Sequence, residues 1–186
     1  MIILSFDIGI KNLSYCLCEI EEHKINIIKW ECVSLIDKDD KCKKYNITEL
    51  TLLILRLLDS HFANNEPMMT IDHVLIENQP SNLNGLMKTL SVVIFTYFNY
   101  KQIQNSIVTG SVQFISATNK LKCKKNKCKT IKQKLTYTER KKLSIELTKM
   151  YLENDEDHLT WFCKQKKQDD YSDSFLYIVY YVENCI

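Results

Sequence analysis

The sequence predicts an α/β fold built on a five-stranded mixed sheet with helices on both faces. Two patterns lead to that expectation: three strand-like runs joined by short reversals come first, and helix-like and strand-like runs alternate after them. Length sets its scale, because 186 residues of which 45% are hydrophobic suit a single domain, 1–186, that buries its own core.

Ile2 to Asp7 forms the first strand, a run of β-favouring apolar residues that ends on a carboxylate. The turn "IGIKN" leads into a second strand, Leu13 to Ile20, and a third follows over Lys24 to Ser34, with "HKIN" at the reversal. Short turns make these three an antiparallel meander. In "NITELTLLILRLLDSHF" the period changes: Leu50, Leu53, Ile54, Leu57 and Leu58 share a helical face, and Asn46 or Thr48 is available as N-cap.

"HVLIENQP" is a short apolar strand stopped by Pro80. "NGLMKTLSVVIFTYFNY" is a helix with Asn84 as N-cap and Leu86, Leu90, Val93, Ile94 and Tyr97 on one face. Val92 and Phe95 widen its apolar surface, which suits burial on two sides or a subunit contact. "SVQFIS" supplies the fifth strand. After a basic loop come a helix in "TERKKLSIELTKMYLEN" and a last helix from Asp170 to about Glu183.

The net charge of +2 conceals a concentrated basic segment. Thr118 to Lys142 contains ten lysines and Arg140 against one acid, Glu139. Such a run is either a solvated loop or a footprint for phosphate backbones. Only Arg56 and Arg140 are arginines; lysine meets phosphate as a point charge, so backbone contact is favoured over base reading. An AT-rich coding genome accounts for the same bias.

The eight cysteines are expected to be reduced thiols, since a domain of this size does not need disulfides. Cys123, Cys128 and Cys163 lack a CxxC pair or a nearby His to complete a zinc site. The apolar start is too short for a signal peptide and has no basic flank, and no run reaches the roughly 18 apolar residues of a membrane span. An intracellular protein with no membrane partner is expected.

Asp7 and Glu77 each close an apolar strand. If those strands are parallel neighbours, the two carboxylates lie side by side at one sheet edge. A turn-capping Asp is common, but an acid directly after buried Val74, Leu75 and Ile76 needs compensation. Asp170 and Asp173 are three apart on a helix and share a face, although Asp169 or Asp170 could simply be its N-cap. Together these acids suggest an oxygen-only cage for Mg²⁺, in which two ions about 4 Å apart can clamp an in-line displacement at phosphorus.

Four blocks, "SFDIGIKNLSYCLCEI", "VLIENQPSNLNGLMKTLSVVIFTYF", "VQFISATNKLK" and "KKQDDYSDSFLY", resemble in order and spacing the RuvC-type Holliday junction resolvases of poxviruses and other large DNA viruses. Fungal mitochondrial cruciform-cutting enzymes are similar too. The resemblance spans nearly the whole chain and implies a ribonuclease H-like fold. It also implies a Mg²⁺-dependent endonuclease, with Mn²⁺ able to substitute, that acts on four-way DNA junctions as a homodimer making paired nicks. The family's catalytic, metal-holding acids fall on Asp7, Glu77, Asp170 and Asp173. Leu13 follows Asn12 where poxvirus members tend to have Pro, and "NLSYC" is closer to the fungal and other viral branches. The compartment follows the branch: host cytoplasm if viral, where the work would be processing genome concatemers, or mitochondrion if fungal.

Expected DNA-backbone contacts are Lys11, Gln79, Asn82, Asn84, Lys120, Lys122 and Lys124, with Gly9 admitting a close phosphate approach. Two alternatives within the same fold are a nuclease for flaps or other branched nucleic acids and a module that binds without cutting. Sugar kinases and Hsp70-like ATPases also open on a strand and "DIG", but they need glycine-rich loops that three glycines cannot supply.

Overall fold

The computed structural model describes residues 1–37, 39–41, 44–63, 70–79, 85–104, 107–125 and 135–186. Asn82, Asn84, Cys42 and Cys128 lie outside them, and so does most of the basic segment's middle.

Strands β1 (Ile2–Asp7), β2 (Leu13–Glu21), β3 (Lys24–Val33), β4 (Ile71–Asn78) and β5 (Val108–Ser116) form one sheet in the order β3-β2-β1-β4-β5. The first three are antiparallel, whereas β4 runs parallel to both β1 and β5. This is the mixed sheet that the order of patterns predicts. The β2–β3 reversal falls on Glu22 and His23, slightly before the expected "HKIN", and both have positive φ (47° and 68°). Glu21 pairs with Lys24, so this is a two-residue hairpin whose mirror-type turn matches the strand twist.

Alternation along the strands divides the core between the two faces. Leu4 and Phe6 of β1, Leu13, Tyr15 and Leu17 of β2, and Val74 and Ile76 of β4 pack under α1 (Ile47–Leu58) and α2 (Gly85–Ile103). Helix α1 buries Leu50, Ile54 and Leu58. Asn46 is its N-cap: its side chain accepts from Glu49 N, and Glu49 answers at the Asn46 N–H. After Leu58 the helix widens into a π turn, Asp59–Ala63. In α2, Leu90, Ile94 and Tyr97 are buried while Val92 stays exposed.

The opposite face carries Ile3, Cys16, Cys18, Trp30 and Leu75 under α3 (Tyr137–Tyr151), α4 (Glu156–Cys163) and α5 (Gln168–Asn184). Helix α4 has no counterpart among the elements the sequence pattern predicts. It has only eight residues, too few to display an apolar period, and it is set by Asp155, whose side chain accepts from His158 N. Its purpose is visible in Phe162, which stacks on Trp30 with ring centroids 5.3 Å apart. Among the described residues, no helix is long and apolar enough to cross a membrane.

Helix α5 begins at Gln168, earlier than expected. Its N-cap is Lys167, which makes no side-chain cap bond, so neither Asp169 nor Asp170 is the N-cap. Those acids are in the first turn and need another explanation.

Candidate active site

Period-two alternation decides where the strand-end acids point. Asp7 shares the face of Ile3 and Ser5, and Glu77 that of Leu75, so both lie on the α5 side of the sheet. Phe6 is in register with Ile76 on the parallel neighbour, which places Asp7 beside Glu77. Both are almost closed to solvent, Asp7 at 9% exposure and Glu77 at 7%.

Buried serines hold α5 close to this edge. Ser5 Oγ donates to the Ser174 carbonyl at 2.5 Å, and Ser14 Oγ lies 2.9 Å from Ser174 Oγ. Trp30 Nε1 donates to the Tyr171 carbonyl at 3.0 Å. Small side chains allow the helix backbone near the strands, and these bonds satisfy the polar groups buried there. The result fixes the height of Asp170 and Asp173 above the strand ends.

Asp7, Glu77 and Asp173 form one electrostatic unit. The Asp7 carboxyl is held well above the usual range, first by burial and then by the charges of Glu77 and Asp173. Asp173 is also raised by burial, against the opposing pull of Lys120. Asp170 sits at the rim and is pushed up to about 6 by burial and by Asp169. Asp169 itself is taken by an ion pair with Lys141.

Lys120 is inside this group. Its ammonium pairs with Asp173, and the two side chains are only 17% and 16% exposed. Asp7 and Glu77 face it as well; although burial works against its charge, the three carboxylates together raise its pKa. Tyr177, one turn beyond Asp173 on α5, is fully buried against the same acids. Its hydroxyl lies near Glu77 but makes no well-formed hydrogen bond.

The remaining sequence candidates disperse. Gln79 donates to Glu77 Oε2 at 2.5 Å, so it steadies an acid. Lys11 is exposed in the β1–β2 turn, where its charge acts on Asp40. Lys122 bonds Asn119 Oδ1 at 2.8 Å. Lys124 lies at the far end of α5, where its backbone N–H donates to Glu183. Gly9 has a local reason: a Cβ there would come within 2.5 Å of the Asn12 carbonyl oxygen, so the turn itself excludes a side chain. Cys123 is buried and Cys163 exposed, and neither is in a disulfide among the described residues.

The donor set fits a hard cation. It is made of carboxylate oxygens, it resists accumulating negative charge, and it already attracts an ammonium. No group of three or more His, Cys, Asp or Glu among the described residues is drawn together tightly enough to serve as a ready metal site. The acids are neighbours around Lys120 rather than ligands around one point.

Known proteins give this geometry a setting. The structure superposes on the fowlpox virus resolvase, solved as a complex with its substrate Holliday junction DNA, with a TM-score of 0.66, 22% identity and coverage of 100% of this chain and 99% of that one. The yeast mitochondrial Holliday junction resolvase Ydc2 gives 0.64 at 20% identity, covering 97% and 78%. These likenesses establish the ribonuclease H-like fold. In sequence, an uncharacterized protein of Acanthamoeba polyphaga mimivirus, L451, is 35% identical over 162 residues, 78% of this chain; the chain spans only 37% of that relative's length. The family model of the Poxvirus A22 protein matches residues 1–184, and the chain belongs to that family.

Proposed function

We propose that this chain is a structure-selective DNA endonuclease that resolves four-way junctions by paired nicks, acting as a homodimer on viral genome intermediates. The observation that carries the reading is the meeting of Asp7, Glu77 and Asp173 at one sheet edge with Asp170 at the rim. A nucleic-acid-binding module has no use for buried carboxylates that repel one another, whereas a phosphodiester hydrolase does. Membership of the Poxvirus A22 family and the fold shared with two resolvases support the substrate class. A DNA substrate of this kind sets the activity inside a cell.

Asp7, Glu77, Asp170 and Asp173 would hold Mg²⁺, with Mn²⁺ as a substitute. Bound there, the metal supplies Lewis-acid chemistry for in-line displacement at phosphorus. The chain's own residues do the positioning. Gln79 orients Glu77, the Ser174 contacts set the height of α5, and Lys141 compensates the charge of Asp169 beside Asp170. Lys122 is available to the phosphate backbone from the exposed side of its turn.

The test compares a synthetic four-way junction, a flap and a plain duplex as substrates in Mg²⁺. Symmetric nicks in the junction, with little cutting of the duplex, are expected. Preferential cutting of the flap would reassign the substrate, and no cutting of any arm in Mg²⁺ or Mn²⁺ would overturn the nuclease reading.

A further inference from the structure

We infer that Lys120 is a resident counter-ion of the acid cluster, whose ammonium stands among Asp173, Asp7 and Glu77 in the place a divalent cation takes and must vacate it when one enters. The inference rests on the metal-site reading above and adds a competitor to it.

Lys120 belongs to a basic segment, and ten lysines there look alike in the sequence. Local structure separates this one from its described neighbours Lys122, Lys124 and Lys125. It lies in a 3-10 turn, Asn119–Leu121, packed beside α5. Its carbonyl accepts from Cys123 Sγ at 3.1 Å, and the same thiol reaches the Leu176 carbonyl at 3.8 Å. Cys123 is fully buried, so the backbone of Lys120 is tethered to α5 one turn beyond Asp173. From that anchor the side chain passes over the Tyr177 ring, with Nζ 5.7 Å from the centroid, and ends on Asp173. Neighbouring lysines leave the site: Lys122 turns to Asn119, and Lys125 pairs with Glu153 at 2.9 Å.

Charge explains why the position is occupied. Three carboxylates largely withdrawn from water are costly without a cation nearby. One ammonium, paired with Asp173 and largely shielded from water, compensates part of that charge. An ammonium and a divalent cation cannot both lie against the Asp173 carboxylate. The ammonium has to move, and the flexible four-carbon stem of lysine permits that where the planar fork of arginine is less adaptable. Tyr177 gives the arrangement a second element. A buried hydroxyl without a good partner is unfavourable, and here it lies beside Glu77, available as a donor to that carboxylate once the ammonium has gone.

Competition has a signature that neither a structural nor a catalytic lysine would produce: removing the residue should tighten metal binding. Mn²⁺ is the probe, titrated into the full chain without DNA and followed by the EPR signal of free Mn²⁺, with thermal unfolding measured in parallel in EDTA and in Mn²⁺. Lys120→Met and Lys120→Gln are expected to bind Mn²⁺ about tenfold tighter than the wild type, because one buried positive charge no longer opposes the cation. Both should melt lower in EDTA and gain more than the wild type from Mn²⁺. Lys120→Arg keeps the charge and should bind no more tightly than the wild type.

Unchanged or weaker Mn²⁺ binding in Lys120→Met and Lys120→Gln would overturn the inference. If either variant is unfolded in EDTA, Mn²⁺ should restore its fold, and failure to recover would count against competition equally. Asp7→Asn separates this inference from the reading beneath it. If Asp7→Asn binds Mn²⁺ as the wild type does, the metal-site assignment fails whatever Lys120 does. If Asp7→Asn loses Mn²⁺ while the Lys120 variants gain nothing, only the counter-ion inference fails.

Discussion

Replacing Asp7 by Asn should stabilise the metal-free protein while abolishing its activity. Asn keeps the shape of the side chain and removes its charge. In the structure that charge faces two like charges, Glu77 and Asp173, and one opposite charge, Lys120. Two unit charges about 4 Å apart interact by about 4 kcal/mol at an effective dielectric near 20. Two repulsions set against one attraction leave on the order of one such interaction, and separations longer than contact reduce it to about 1–2 kcal/mol. For a chain of this size that is a rise in Tm of roughly 3–8 °C in EDTA. The gain should depend on pH with a definite sign. Because the Asp7 carboxyl is raised in the fold, wild-type stability is fully present below the ordinary carboxylate range and is lost as pH rises through the folded value. The advantage of Asp7→Asn should therefore be absent in acid and grow toward neutral pH. Differential scanning fluorimetry in EDTA at several pH values, together with nicking of a four-way junction in Mg²⁺ and a gel shift for binding, checks each part. A lower Tm in EDTA at neutral pH would refute the repulsion, and retained nicking would refute the assignment of Asp7 as a metal ligand.

Asp170, pushed up to about 6 from 3.8, predicts that metal-free stability falls between about pH 4 and pH 6 by about 1–1.5 kcal/mol, roughly half the full linkage, because the group is partly exposed. Urea melts in EDTA should show that slope in the wild type and a flatter one in Asp170→Asn; equal slopes would place the titration elsewhere. Gly9→Ala brings a Cβ within 2.5 Å of the Asn12 carbonyl oxygen, which should cost about 1–3 kcal/mol and displace Asp7 two residues away; a variant with wild-type Tm and nicking would show that the turn yields freely. Lys122→Ala should lower the dependence of log K for junction binding on log salt by about 0.9, the value of one phosphate contact. Lys124→Ala, at the far end of α5 beside Glu183, should leave that slope unchanged, and a larger effect there would move the DNA-binding face away from the acids.

The fold and the placement of Asp7, Glu77, Asp170 and Asp173 within it were legible because local patterns determine them. The mostly apolar run Ile2–Phe6 before Asp7 and the shorter run Val74–Ile76 before Glu77 identify strands, and period-two alternation then fixes the face on which each acid emerges. The i, i+3 spacing of Asp170 and Asp173 does the same on a helix. The same rule reaches Tyr177, which sits four residues beyond Asp173 and so shares its face, a relation that spacing alone makes readable. Helix α4 was hidden by its length: eight residues carry little period, and what fixes it is Phe162 against Trp30 on a strand more than a hundred residues earlier. Lys120 was hidden for a different reason. Charge counts treat the lysines of one segment as interchangeable, so Lys120, Lys122 and Lys124 read together as phosphate contacts. The structure divides them by a contact that charge does not encode, the buried Cys123 thiol between the Lys120 and Leu176 carbonyls. That contact holds the Lys120 turn against α5, while the described neighbours Lys122 and Lys125 bond to Asn119 and Glu153 instead. On the proposed reading, the carboxylates would set what this edge of the sheet binds, and the short turn after β5 would set what a metal has to displace there.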